Sequence, residues 1–433
     1  MRLWWTWVRR SYAPFFLPVG IGIALALRLD ESTYDFRYEW YWASAESGSW
    51  LFFGGAVLAG ASAWEAWLTR RRNQALTTAA PNPHAGRFSV FVGVVTWWLA
   101  LHLLILAAHL VTAGLSGAVG EPAMLHLLTQ FVAVVGWCGL GVAVGWWIRS
   151  PLAAPVLAAL ILISVPDPLP GVSLRGLTWF GSAASLVSMR FEPLALGLKL
   201  GFFAGLALLV VTTPRHSFAG RVLTVFGVTI AVAAAMLAVV PRSDLKPVPI
   251  ADHTCTPDLS KIVVCGPPEL KPRLSDISQA LEPIVDDLQN LGVDPPATFR
   301  VHGRGGAVAP EPGVGWLAIA AVPLRSDVDI PTHALVEAAT VPTSCGDPDE
   351  DSWVETMVLR EAVYGWVLRE WEVTAADGSV LYSPDLINDL HSLPPAKQRE
   401  WFVEAYTTLW QCTESGLWLP EGITHPSVDV RRG

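Results

Sequence analysis

MLHLLTQFVAVVGWCGLGVAVGWW, residues 124–147, decides the fold class, because these 24 positions hold no Lys, Arg, Asp or Glu. A helix rising about 1.5 Å per residue needs about 20 apolar residues to cross a bilayer's hydrocarbon core. This stretch meets that length without interruption. Comparable runs flank it on both sides. They place spans at Ser11–Leu27, Trp50–Leu68, Phe88–Ala113, Met124–Trp147, Pro151–Val165, Leu194–Val211 and Val222–Val240, about seven in all. The fifth is short, and if it re-enters instead of crossing, everything after it changes side.

Charge divides the chain the same way. Residues 1–241 hold 15 Lys/Arg and 9 Asp/Glu, and residues 242–433 hold 14 and 29, so the net −9 splits into +6 and −15. With 52% hydrophobic and 15% charged residues, the composition is unlike that of a soluble enzyme of 433 residues. The expected fold is an α-helical polytopic membrane bundle (1–241) followed by an α+β extracytoplasmic domain (242–433). Pro241–Pro249 forms the linker.

Orientation follows from the placement of positive charge. With the N-terminus cytoplasmic, the inner segments carry ten Arg (2, 9, 10, 70, 71, 72, 87, 149, 215 and 221) against four in the outer loops. Glu65 is the only acid near the inner side. An odd number of crossings puts the tail outside a bacterial plasma membrane. Cysteine usage suits that side, since four of the five, Cys255, Cys265, Cys345 and Cys412, lie in the tail. Four cysteines allow three pairings; Cys255 with Cys265, bracketing a hairpin-like run, and Cys345 with Cys412 are preferred. Cys138 stands alone in the fourth span. Ala24-Leu25-Ala26 after a short apolar core also suits a cleavable signal, although a signal anchor is the preferred reading.

Polar residues inside hydrocarbon are functional candidates by default. His102 and His109, seven apart on the third span, share one face. His126 and Gln130 open the fourth span, and interhelical hydrogen bonding is their expected role. Lys199 is shallow in the sixth span and is expected to snorkel outward. Trp4, Trp5 and Trp7 beside Arg9 and Arg10 suit an interfacial helix, and Val172–Phe191 suits a re-entrant or surface-lying outer segment. In Tyr34–Trp42 the rings at 34, 36, 38, 40 and 42 recur at a period of two, which puts them on one side of an extended segment.

The arrangement through about residue 221 resembles the type-2 ABC exporter permeases of actinobacteria. The match rests on the amphipathic start, six spans, the outer re-entrant region and the inner stretch Ala63-Trp64-Glu65-Ala66-Trp67 through Arg70-Arg71-Arg72-Asn73-Gln74-Ala75-Leu76 to Pro81. The resemblance implies that Arg70, Arg71, Arg72, Gln74 and Leu76 belong to a loop that docks a separate ABC ATPase subunit, and it allows a homodimer. A seventh span and the tail depart from the family. No Lys follows a Gly, so the chain has no Walker A motif and any ATP hydrolysis belongs to a partner.

In the tail, Ser275 is expected to cap a helix with a spine of Ile277, Leu281, Ile284, Leu288 and Leu291, ending at Gly292 and bent by Pro283. Runs at Ala297–Val301, Gly315–Ala320 and Ala334–Val341 read as strands. Helices follow near Ser352–Glu370 and Pro395–Cys412. That helix pair resembles the gluzincin metallopeptidases, with Leu359-Arg360-Glu361-Ala362-Val363-Tyr364 where the family has His-Glu-x-x-His, and Glu404 at the later glutamate. Only the glutamates match. Arg360 is a cation and Tyr364 a phenol where zinc needs imidazole lone pairs, so the resemblance implies a pseudo-peptidase with no metal and no cofactor. Two functions are expected from these features: a permease-like ABC exporter subunit with an external accessory domain, or a non-transporting membrane sensor or binding protein with a pseudo-peptidase ectodomain.

Overall fold

The computed structural model describes residues 8–30, 36–72, 83–148, 150–164, 185–210, 245–257, 261–302, 311, 313–318, 330–342, 350–371 and 384–411. The expected seventh span, Gln74, Leu76, Cys345 and Cys412 lie outside them. The chain divides into two compact units, Met1–Lys246 and Pro247–Gly433. It is mostly helical, with a small sheet in the C-terminal unit.

The first unit contains α1 (Leu17–Asp30), α2 (Trp40–Glu46), α3 (Leu51–Arg72), α4 (Pro83–Leu115), α5 (Met124–Trp147), α6 (Ala153–Ser164), β1 (Met189–Phe191) and α7 (Pro193–Leu208). Three helical stretches are long and apolar enough to cross a membrane: Trp40–Arg72, Gly86–Leu115 and Met124–Trp147. Ala13–Leu27, Ala153–Ile163 and Pro193–Leu208 are shorter apolar helices. The 12 residues of α6 extend only about 18 Å, against a hydrocarbon core of about 30 Å.

Glycine positions explain why α5 is central. A side chain at Gly141 or Gly145 would run into the carbonyl oxygens of Ala59 and Ala63 on α3. One at Gly136 or Gly139 would meet the backbone of Phe203 and of Leu206–Ala207 on α7. Small residues on two sides of α5 thus let both neighbours approach to backbone contact, which is how helices associate where lipid removes the hydrophobic drive. Trp50, Trp98, Val134, Cys138 and Phe203 fill the core between them. Leu103, Leu104, Val111, Leu160 and Ile163 point outward and are exposed. That is an apolar exterior suited to lipid.

From Phe36 onward the aromatic run of the first loop is wound, not extended. Phe36–Tyr38 forms a 3-10 turn and Trp40 opens α2, with Glu39 between them held by a bridge to Val119. Helical winding replaces the period of two because it buries Phe36 and Trp42 together against Ala113 and Leu186.

After β2 (Leu245–Pro247) come β3 (Thr254–Cys255), β4 (Val263–Gly266), α8 (Lys271–Leu291), β5 (Thr298–His302), β6 (Val314–Ala318), α9 (Thr332–Thr340), α10 (Glu350–Glu370), α11 (Pro384–Ser392) and α12 (Pro395–Gln411), all in the second unit. The sheet order is β3-β4-β5-β6, with β3 antiparallel to β4 and the other pairs parallel. Parallel neighbours need a long crossover, and α8 provides the one between β4 and β5. Ile277, Leu281, Ile284 and Leu288 are buried along it, and Gly292 closes it at φ 97°. Only glycine adopts that conformation cheaply.

Two expectations fail here. Ser275 lies inside α8, which starts at Lys271 after a 3-10 turn, with Pro272 in its first turn, where a missing N–H costs nothing. The run 334–341 is not a strand but the body of α9. Its alanines favour helix, and Gly315 on β6 lets the Ala338 carbonyl approach closely.

Candidate functional site

Three groups of residues carry the chemistry singled out in the sequence. At one end of the first unit, α3 terminates in Arg70, Arg71 and Arg72. Arg70 donates to the Trp146 carbonyl on α5, and the Arg71 guanidinium lies 5.5 Å from the Trp67 ring. Arg72 donates to the Tyr12 hydroxyl and also lies over its ring at 5.4 Å. One turn back, Glu65 is 4% exposed and accepts three bonds on a single oxygen. The donors are the Ser11 hydroxyl at 2.8 Å and the Tyr12 and Ala13 amides at 3.1 Å each. These amides open the 3-10 turn Ala13–Phe15 that leads into α1, so Glu65 caps it from another helix. Trp97 of α4 donates to the Val8 carbonyl at 2.9 Å. The entry segment is therefore fastened to α3 and α4. Sequence reasoning noted Glu65 only as an acid among basic residues; its isolation there was the signal of a specific partner.

The intramembrane polar residues separate into individual roles. Trp50 Nε1, just before α3, donates to His102 Nδ1 on α4 at 3.2 Å. His109, on the same helix, turns back to the Ile105 carbonyl at 2.8 Å, and its ring lies 5.1 Å from Phe36. Gln130 joins α5 to the α2 region, donating to the Ser44 carbonyl at 2.8 Å and accepting from the Ser47 hydroxyl at 3.2 Å. His126 stacks flat on Phe191 at 4.0 Å and 5°. Lys199 does not reach outward: it is 1% exposed on the inward side of α7. The four residues 102, 109, 126 and 130 thus do not converge on one centre.

In the second unit, Arg360 and Glu361 are half-buried on α10. Burial lowers the pKa of Arg360 against the opposing pull of Glu337, and burial raises that of Glu361. Tyr364 donates to the His333 carbonyl at 3.4 Å. Glu404 stands exposed on α12, beside Arg399 and Glu400, while Phe402, Ala405 and Tyr406 form the buried side of that helix. The helices meet through Trp366 and Phe402, stacked at 4.6 Å, and not through the two glutamates. Among the described residues, no three His, Cys, Asp or Glu side chains are grouped to hold a metal ion. Cys255 and Cys265 face each other in register on β3 and β4 and form a disulfide.

No curated protein and no solved structure matches this chain. One family model matches residues 264–412, from β4 past the end of α12, and it describes a domain of unknown function (DUF7224).

Proposed function

We propose that this protein is a permease-like subunit of an ABC exporter system in a bacterial plasma membrane. It crosses the membrane about seven times, with its N-terminus in the cytoplasm and its acidic C-terminal domain outside. A separate ATPase docks near residues 70–81, and the external domain handles substrate or envelope contacts. The observation that most supports this reading is the fastening of the N-terminal segment to α3 by Glu65 and Arg72, immediately before the basic stretch. A loop that receives force from a motor needs a rigid seat on the helices it moves. Arg70 extends that seat to α5 through the Trp146 carbonyl. The disulfide between Cys255 and Cys265 supports an oxidising location for the tail. The external domain is read as a binding module related to degenerate gluzincins, with Arg360 and Tyr364 where ligating imidazoles would stand.

The test is co-purification of the intact protein from its native membrane. An ABC ATPase should accompany it and be lost when residues 73–81 are replaced by a Gly/Ser linker of equal length. Recovery of a monodisperse protein with no ATPase overturns the exporter reading in favour of a non-transporting sensor.

A further inference from the structure

One side of α7 carries Gly197, Gly201 and Gly205, four residues apart and so one above another along the helix. All three are exposed, and nothing among the described residues comes within 4 Å of where their side chains would stand. The side bearing Ala195, Leu196, Phe203 and Leu206 is buried. Glycine weakens a helix interior relative to alanine, and three in line make a groove that a second backbone can approach closely.

The path of the chain indicates what lies in that groove. Gly136 on α5 faces Phe203, and Gly139 faces Leu206 and Ala207, so α5 and α7 run in the same direction. The end of α7 therefore points toward the end of α5 where Arg70 holds the Trp146 carbonyl. The chain is next described at the opposite end. There β2 pairs with β1, which directly precedes α7, and Lys246 forms an ion pair with Glu192, the residue before α7. Leu245 packs with Met189 and Phe191 against Phe36 and Trp42. Residues 211–244 thus join one end of α7 to the other, a distance of about 24 Å for its 16 residues. Within them, residues 222–240 hold no charge and match a bilayer's hydrocarbon core at about 28 Å as a helix. They repeat the small-residue period of four with Gly227, Ala231 and Ala235. A single antiparallel register sets 235 beside Gly197, 231 beside Gly201 and 227 beside Gly205.

We propose that the glycine side of α7 is the docking surface for residues 222–240 of the same chain, packed antiparallel to α7 as a helix with small residues against small residues. Close backbone approach then supplies the van der Waals contact that holds helices together in lipid. A second copy of the chain is the competing occupant, but it would give no reason for β2 to return to the start of α7. The proposal rests on the membrane placement above but not on any partner ATPase.

The test is disulfide cross-linking of the full-length protein in native membranes, in a Cys138→Ala background with a protease site inserted between residues 212 and 220. The pairs are Gly197→Cys with Ala235→Cys, Gly201→Cys with Ala231→Cys, and Gly205→Cys with Gly227→Cys. After oxidation and cleavage, the two halves should stay joined on a gel without reductant in at least two of the three pairs, severalfold more than in the single substitutions. Joining in fewer than two pairs, or cross-linking into dimers in place of joined halves, would overturn the proposal. If the cysteine pairs are not monodisperse, benzoylphenylalanine in place of Leu194, with every glycine native, decides. Its adducts should map near Ala238 of the same chain; adducts to a second copy or to lipid alone would overturn the packing. A tail that external protease still removes, in a protein whose halves separate, would leave the proposed topology intact and refute only this interface.

Discussion

Single residues show how far side-chain chemistry could be read before the fold was known. Glu65 was visible as an isolated acid, but its three donors lie more than 50 positions away in sequence, so only the fold could supply them. Glu65→Ala should destabilise the protein by about 3 kcal/mol, because it strands buried amides, while Glu65→Gln should cost roughly half as much; thermal unfolding in detergent measures both. In the tail, Tyr406 is 1% exposed and donates to the Ala339 carbonyl at 2.8 Å. Its burial pushes its pKa well above the ordinary phenol range. Tyr406→Phe should cost about 1–2 kcal/mol by leaving that carbonyl unpaired, readable as a lower denaturation midpoint. His253 and His391 are both held below the ordinary imidazole pKa, first by burial, with Arg300 and Arg369 adding to the effect. Asp252 and Glu269 oppose it at His253, and Glu370 opposes it at His391. A lowered folded-state pKa means that the unfolded chain binds protons first. Stability is therefore full above the ordinary value of about 6.5 and declines as the pH falls below it. Amide protection around α11, corrected for the intrinsic pH dependence of exchange, should fall as the pH drops from 7.5 to 5.5, and His391→Gln should flatten that response.

Elements were legible wherever one physical pattern ruled and failed where two competed. The span of α5 follows from uninterrupted hydropathy, and α8 follows from its spine and Gly292. The segment around Trp40 stayed open because alternating rings fit an extended segment and also a wound one that buries Phe36 and Trp42. The segment 334–341 misled because Ala, Leu and Val populate a buried strand and a buried helix equally; contact with Gly315 decides it. Packing through Gly141 and Gly145 leads to a strong expectation. Gly145→Leu should abolish the monodisperse fold, since the obstacle is the Ala63 backbone and not a movable side chain, whereas Gly22→Leu, with open space beside it, should be tolerated. Size-exclusion profiles of the two variants provide the comparison. Cys255→Ser with Cys265→Ser should lower tail stability by only a few kcal/mol, since the loop it closes is short, with a sequence separation of 10.

At the scale of the whole molecule, the proposed topology predicts that protease added to intact spheroplasts removes the tail, whereas an antibody to the N-terminus binds only after permeabilisation. A protected tail would reverse the proposed compartment. Composition by itself determined that the chain has an apolar, basic first part and an acidic second part, because hydropathy and charge are sums over residues and need no neighbours. Of the spans it marked, Trp50–Leu68, Phe88–Ala113 and Met124–Trp147 fall on the three helical stretches that are long and apolar enough to cross a bilayer. Only the tertiary structure decided that Glu65 caps the entry to α1, that Lys199 is enclosed instead of snorkelling, and that Glu404 lies exposed on α12 away from the Trp366–Phe402 contact. Each of those depends on which face of one helix meets which face of another, and that choice is made by packing between residues far apart in the chain.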